Sequence, residues 1–347
     1  MKVAIDCRML GNHGIGTYLY NILINIIPNK QHFFLLIGDP NKLKEFKVYN
    51  NCEIIPLYIK PFSLKEILYT QTDPINECDI YYSPNFNFLG NIKIPIALTI
   101  HDLVFLDIKG FTSLLGKAIR YLFVLRAIKR AKMLFTVSQF SANRIKSTFN
   151  IKQNKIIITY NGINKELTKF TPTKLEKDSF FIYIGNIKPH KGITTLLKAF
   201  QILKLEGDRR KLYIVGEYNS FKTKSKNIIK LINHDKDIIF TGKISNTDLY
   251  NLLYNADALI QPSTYEGFGI PPLEALFLKT PAIISDIPVF KEIYSNLPVY
   301  YFEVNNPRSL AQAMKSISEE KCYDHLYIPY NYEKTSEIIL SSLSQII

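Results

Sequence analysis

The chain has 347 residues, more than one hydrophobic core usually serves, so its length favours two domains. With 47% hydrophobic, 13% aromatic and 21% charged residues its composition is globular, which excludes a coiled coil, a low-complexity polymer or a disordered tail. The net charge of +13 is uneven: residues 1–165 hold 21 Lys/Arg against 10 Asp/Glu and residues 166–347 hold 22 against 20, so the first half either suits an anionic partner or simply solvates its helix faces with lysine.

Apolar, β-branched runs alternate with segments of helical period, the pattern of an α/β protein with parallel sheets. In the first half the strand candidates are Val3–Cys7, Phe33–Ile37, Glu53–Leu57, Ile80–Tyr82, Ile96–Ile100, Leu134–Val137 and Ile156–Thr159. The helical runs among them include Tyr18–Ile27 and a basic amphipathic stretch over 109–132. The turn signal Asn161-Gly162-Ile163-Asn164 and the polar stretch Lys165–Asp178 mark a domain boundary. A second set follows: Phe180–Ile184, Leu212–Val215, Ile238–Thr241, Ala258–Ile260, Ala282–Ser285 and Val299–Phe302, with a helical run at Ile193–Leu205. Tyr332–Ile347 reads as a closing helix that needs a partner surface. The expected division is therefore 1–165, 166–330 and a terminal helix over 331–347 that packs back toward the first domain.

Cys7, Cys52, Cys78 and Cys322 are scattered, without C-x-x-C spacing or a histidine cluster, and read as reduced, mostly buried thiols. No run approaches the roughly 18 apolar residues of a membrane-spanning helix, and Met1 leads directly into Lys2-Val3-Ala4-Ile5, so a cytoplasmic location is expected. The aromatic residues are dispersed and form no interleaved basic–aromatic platform, which argues against a nucleic-acid partner.

In doubly wound sheets ligands bind beyond the carboxyl ends of strands, and the unusual residues cluster there. After the first strand, Arg8-Met9-Leu10-Gly11-Asn12-His13-Gly14-Ile15-Gly16-Thr17-Tyr18 leads into a helix, where glycines admit an anion to free N–H groups. The third glycine of a dinucleotide fingerprint is replaced by Leu19. His101-Asp102 ends another strand, and a neutral imidazole there can hydrogen-bond a sugar hydroxyl or merely close a loop. Gly185-Asn186-Ile187-Lys188-Pro189-His190-Lys191-Gly192 precedes a helix and offers ammonium groups to a diphosphate. Glu266 lies in the Gly- and Pro-rich loop Pro262–Ile270, and Glu274 lies one turn into a helix that Pro271 or Pro272 starts. A carboxylate so placed accepts two hydrogen bonds from a ribose diol. Paired carboxylates also occur in glycoside hydrolysis, but no second site supplies an acid and base on opposite faces of a bond.

These pieces, in this order, resemble the retaining, nucleotide-sugar-dependent glycosyltransferases of family 4. They are Ile5-Asp6-Cys7-Arg8, Gly14-Ile15-Gly16-Thr17-Tyr18, His101-Asp102, Thr136–Ser141, Asn161-Gly162-Ile163, the Gly185–Gly192 loop and the acid pair Glu266 and Glu274 with seven residues between. The resemblance implies a GT-B fold, with two facing Rossmann-like doubly wound domains, an interdomain cleft and a crossing C-terminal helix.

The resemblance also implies roles for single residues. Gly14 and Gly16 present amides near the donor phosphates, His101 contacts the transferred sugar, and Lys191 neutralises the diphosphate. Glu266 with the amides of Gly267, Phe268, Gly269 and Ile270 holds the sugar, and Glu274 binds the ribose hydroxyls. His101, Glu266 and Lys191 are the expected catalytic set. The family often has Arg where this chain has Asn186, so Lys188 replaces that cation or Lys191 carries more of the load.

No cofactor or metal is implied, and no convincing D-x-D motif appears. The variants of the motifs look most like bacterial mannosyl- and hexosyltransferases of surface-polysaccharide and lipopolysaccharide assembly, which makes GDP-mannose the first donor expected. UDP-hexoses and dTDP-rhamnose stay open. The implied acceptor is a glycan or lipid-linked glycan, bound by the first domain at the inner face of the cytoplasmic membrane. Lys109, Lys117, Arg120, Arg126, Lys129, Arg130 and Lys132 of the 109–132 helix would then rest on anionic lipid, or else form an ordinary basic outer face. A nucleotide-sugar epimerase of the same fold and a non-catalytic assembly partner are the competing readings. The basic first domain counts against the former and the intact acid, histidine and lysine set against the latter.

Overall fold

The computed structural model describes residues 1–12, 14–151, 155–174, 179–216, 235–317, 323 and 326–347. His13 and Cys322 lie outside the described residues. Two compact units emerge: unit 1 comprises Met1–Asp107, Thr112–Asn164 and Tyr330–Ile347, and unit 2 comprises Ile108–Phe111 and Lys165–Pro329.

Unit 1 is built on β1 (Lys2–Asp6), β2 (Phe33–Gly38), β3 (Cys52–Pro56), β4 (Ile80–Ser83), β5 (Ile96–Thr99), β6 (Met133–Thr136) and β7 (Ile156–Ile158), in the spatial order β3-β2-β1-β4-β5-β6-β7. Every pairing is parallel, as in Ala4 beside Leu35 and Tyr81. Unit 2 repeats the plan with β8 (Phe180–Ile184), β9 (Lys211–Val215), β10 (Ile238–Gly242), β11 (Ala258–Gln261), β12 (Ala282–Ser285) and β13 (Tyr300–Phe302), ordered β10-β9-β8-β11-β12-β13 and again parallel. Every strand expected from an apolar run is present, its ends shifted by about one residue, within the usual latitude of element boundaries. The inner strands are buried on both faces, which is why they read as unbroken apolar runs.

The main described helices are α1 (Ile15–Ile26), α2 (Leu64–Ile67), α3 (Leu114–Arg130), α4 (Gln139–Phe149), α5 (Ile193–Leu205), α6 (Asn246–Asn255), α7 (Pro271–Phe277), α8 (Pro288–Tyr294), α9 (Pro307–Lys315) and α10 (Tyr332–Ser344). Polar side chains start many of them: Ser113, Ser138, Ser245, Asn306 and Asn331 each accept a hydrogen bond from a first-turn amide. In unit 2, α5 and α9 cover one face of the sheet around Leu196, Phe200, Leu310 and Met314. In unit 1, α10 packs on α1, with the Tyr18 and Tyr332 rings 6.1 Å apart and Thr335 Oγ1 donating to Tyr160 O at 2.8 Å.

Both sheets reverse their winding once, between β1 and β4 in unit 1 and between β8 and β11 in unit 2. At such a switch point the loops leaving adjacent strands run in opposite directions and open a crevice at the carboxyl edge. In unit 2 those loops are Gly185–Gly192 and Pro262–Ile270.

Candidate functional site

The crevice of unit 2 brings together residues 75 apart in sequence. Lys191 Nζ donates to Glu266 Oε1 at 2.6 Å and to Oε2 at 2.8 Å. Lys191 ends a single 3-10 turn, Pro189–Lys191, and Gly192 then starts α5 with φ at 69°. A Cβ at Gly192 would stand 1.8 Å from Pro262 O, so only glycine lets the two loops approach this closely. That contact sets the distance across which lysine and glutamate meet.

Glu266 is buried, and its Oε1 also accepts from Ser263 Oγ at 2.7 Å and Gln261 Nε2 at 3.1 Å. Burial by itself would raise this carboxyl, but the Lys191 ammonium and these hydrogen bonds outweigh it and hold the pKa below the ordinary value. Glu266 is therefore a fixed anion. Lys191 is half-exposed, so the pair has one dry member and one wet one. Gln261 and Ser263 were not among the residues that sequence reasoning singled out; both are fully buried, and their position in and just after an apolar strand was the available signal.

Glu274 behaves oppositely. It sits in the first turn of α7, begun by Pro271 and Pro272, and no described side chain hydrogen-bonds its carboxylate. Burial pushes it up to about 7. An acid held ready at a helix start, without protein donors, is matched by a ligand that brings two hydroxyl donors of its own. Between the acids, Gly267 and Phe268 are buried, and Gly269 adopts φ 91° with its carbonyl accepting from the Tyr294 hydroxyl. Ile270 is half-buried and immediately precedes α7. Asn186 is half-buried beside Gly185, whereas Lys188 is exposed. His190 is buried; burial and the adjacent Lys191 lower it to about 4, and among the described residues its Nδ1 has no hydrogen-bond partner.

In unit 1, His101 follows β5 at the corresponding carboxyl edge. Its Nε2 lies 2.9 Å from Pro84 O, so Nε2–H is the donor and Nδ1 is left as an acceptor. Burial lowers the ring to about 4, which makes it a neutral imidazole at physiological pH. The Tyr18 ring meets it edge-on at 4.7 Å, and Ser141 Oγ donates to its carbonyl at 2.9 Å. Just after β1, Arg8 is sunk between Asp6 and Glu66. Tyr81 Oη and Asn87 Nδ2 complete this cluster through Asp6 Oδ2 and Glu66 Oε1, at 2.8 Å each. The Asp6 and Arg8 of the sequence motif thus fold inward and brace the loops after β3 and β4.

Two expectations need correction. Helix α1 begins at Ile15, three residues earlier than its apolar period indicated, so Gly16 lies inside it. The Gly16 amide donates to Asn12 O at 2.8 Å and is not offered to a phosphate; a Cβ there would meet Met9 O at 2.8 Å, so packing accounts for the glycine. Gly14, with φ 58° and open space around it, remains at the helix start. The basic face expected over 109–132 is also different. The helix occupies Leu114–Arg130, and four of its cations turn back to the protein: Lys117 binds Leu106 O, Arg120 binds Thr112 Oγ1 and Gly116 O, Arg126 binds Phe88 O and Leu89 O, and Arg130 binds Ile92 O.

Comparison with known proteins places this architecture. Two family models match in tandem: Glycosyltransferase Family 4 over residues 57–167 and Glycosyl transferases group 1 over residues 164–334. The chain belongs to this glycosyltransferase family and has its GT-B fold. It is 34% identical over 227 residues to the O-antigen chain mannosyltransferase RfbU of Salmonella typhimurium, covering 64% of this chain and 61% of that one. It is 26% identical over 226 residues to O-antigen chain mannosyltransferase B of Escherichia coli, covering 62% and 58%. The matches thus span about three-fifths of the length of these relatives. The crystal structure of Anabaena Alr3699/HepE in complex with UDP and glucose superposes with a TM-score of 0.74 at 15% identity, covering 99% of this chain and 100% of that one, a likeness of fold.

Among the described residues no helix is long and apolar enough to cross a membrane, and no group of three or more His, Cys, Asp or Glu is arranged to hold a metal ion. Cys7 and Cys78 are buried and Cys52 half-buried, all as free thiols.

Proposed function

We propose that this glycosyltransferase is a retaining, metal-independent hexosyltransferase that binds a nucleoside-diphosphate sugar in unit 2, with GDP-mannose the first donor to test. The observation that carries the reading is the crevice between β8 and β11, where the Lys191–Glu266 pair joins two loops and Glu274, without a hydrogen-bonding side chain among the described residues, stands in the first turn of α7. Glu274 receives the ribose diol. Lys191 and the start of α5 meet the diphosphate, so cationic and dipolar groups stabilise the leaving charge. Glu266 and the Gly267–Ile270 segment hold the hexose. His101 Nδ1 accepts a hydroxyl proton of the sugar, a task that requires the neutral ring.

In the reaction so proposed, the bond from the anomeric carbon to the phosphate oxygen breaks through an oxocarbenium-like state. The acceptor hydroxyl oxygen bonds to the same face, and its proton passes to the departing diphosphate. The acceptor is a glycan or lipid-linked glycan held by unit 1 at the inner membrane surface, in polysaccharide assembly. The mannosyltransferase names of the similar proteins support mannose, and the +11 excess over residues 1–165 supports an anionic setting for the acceptor. The test is incubation of the purified chain with GDP-mannose and a lipid-linked oligosaccharide, with the product's anomeric configuration read by NMR. An α-mannoside from the α-linked donor, formed equally in EDTA, is expected. A β-product overturns retention, loss of turnover in EDTA overturns metal independence, and transfer only from another nucleotide sugar overturns the choice of mannose.

A further inference from the structure

Helix α3 exposes what a globular helix ordinarily hides. Leu114, Leu115, Ile119 and Leu122 are 42–87% exposed, and their spacing puts them on one stripe of its first two turns. The opposite stripe, with Phe123, Val124, Ala127 and Ile128, is the buried one. A second exposed pair, Leu64 and Leu68, stands one turn apart at α2, in the loop that leaves β3.

The two ridges belong to one block. The Phe62 ring, just before α2, meets Phe123 of α3 at 5.5 Å and Phe86 at 5.0 Å. Arg126 of α3 caps Phe88 O and Leu89 O, and Gly90 N donates to Glu66 O at 2.9 Å. The segments of this block all follow the carboxyl ends of strands β3, β4 and β5, the edge of unit 1 at which His101 stands.

Charge identifies what covers the ridges. Between Asp79 and Glu166 the chain has 13 Lys/Arg and two acids, Asp102 and Asp107. Asp107 is paired with Arg144, and Asp102 accepts from Val104 N. Lys60 and Lys65 are exposed next to Leu64 and Leu68 in sequence, and Lys129 and Lys132 are exposed at the end of α3 and just beyond it. A second copy of the chain would set these cations against their own kind, whereas an anionic bilayer satisfies both the apolar stripe and its charged surround.

We propose that the α2 and α3 ridges form a bilayer-docking surface: the six apolar side chains enter the boundary of an anionic leaflet, and Lys60, Lys65, Lys129 and Lys132 meet the headgroups. The docking is led by leucine, with lysine and arginine secondary, because four of the helix's cations are committed to protein oxygens. The inference rests on the proposed function only for its purpose, which is to bring the acceptor edge of unit 1 to lipid-linked glycan.

The test is flotation of the purified chain with phosphatidylcholine vesicles, with and without phosphatidylglycerol. Binding to the phosphatidylglycerol vesicles is expected, with part of it surviving about 1 M salt, where the screening length is about 3 Å. L115E/L122E and L64E/L68E, both at exposed positions, should unfold at the wild-type temperature and bind about tenfold or more weakly. Absence of wild-type binding would overturn the proposal. So would leucine variants that bind like wild type while salt abolishes binding, or a concentration-dependent dimer that L115E/L122E dissolves. Stabilisation of the chain by a nucleoside diphosphate is measured separately, so failure of this surface and failure of the donor reading give different results.

Discussion

Replacing Glu274 by Gln separates what this residue does for folding from what it does for binding. In the folded chain burial raises its carboxyl from the ordinary 4.5 to about 7, without a protein cation to offset the cost. A group whose folded pKa is raised gives its full contribution below the unfolded pKa and loses it as pH climbs through the folded one. At pH 8 the buried carboxylate thus costs about 3 kcal/mol, and at pH 4 it costs almost nothing. Gln fills the same space without the charge. E274Q should therefore melt higher than wild type by several degrees at about pH 8, with the difference fading toward about pH 4. Nucleotide binding should move the other way: two charge-assisted hydrogen bonds become neutral ones, which weakens nucleoside-diphosphate affinity by about tenfold to a hundredfold. Thermal unfolding at both pH values, with and without nucleotide, reads both effects. A variant that gains no stability at the higher pH, or that nucleotide stabilises as strongly as wild type, would refute the reasoning.

Other substitutions probe the rest of the site. K191A strands the buried Glu266 carboxylate and should cost about 1–3 kcal/mol of stability along with donor binding, while K191A/E266Q should recover most of the stability and none of the binding; equal melting of the two variants in a thermal scan would deny the pairing its importance. H101A should lower kcat while leaving nucleotide-induced stabilisation intact. Because burial lowers His101 to about 4, the wild-type pH–rate profile should show no inflection from it near 6.5, and an H101A profile that loses such an inflection would contradict this. G16A should cost about 1–3 kcal/mol through its clash with Met9 O, measurable by denaturant unfolding, and should leave the affinity of the surviving folded protein for nucleotide unchanged; a selective loss of affinity would return Gly16 to the phosphate site.

Much of the scaffold was legible because parallel strands buried on both faces have few alternatives to an apolar β-branched run. Their ends were less so. Polar residues such as Lys2, Lys211 and Gln261 join the ladders through backbone groups that side-chain pattern does not report. The site was legible where a residue type is unusual for its place, as with Lys191 and Glu266 in the segments that follow strands and Glu274 at the helix start beyond. Its supports were not. Ser263 and Gln261 look like ordinary strand and loop residues until the fold turns them onto Glu266, and Gly16 reads as a phosphate-loop glycine although its close approach to the Met9 carbonyl and the Gly11 amide is what requires it.

Helix α3 shows a further limit of pattern reading. Periodicity finds its apolar residues but assigns them inward by default, and here Leu115, Ile119 and Leu122 face out while Arg126 and Arg130 reach back to carbonyl groups. The chemistry of a basic outer face was anticipated from composition. The geometry instead exposes apolar side chains in the first half of the helix and leaves the free cations toward its end and beyond it, at Lys129 and Lys132.

The most direct test of the donor site in unit 2 is thermal unfolding of the intact chain against GDP, UDP, dTDP and ADP, each with and without EDTA. A ligand bound only by the folded state raises the melting temperature, by about 2.7 kcal/mol of stabilisation at a hundredfold excess over its dissociation constant. Selective stabilisation by GDP, unchanged by EDTA and cut to about half or less in E274Q, is the predicted result. No stabilisation by any of the four nucleotides, or stabilisation that E274Q and K191A both retain in full, would contradict the account.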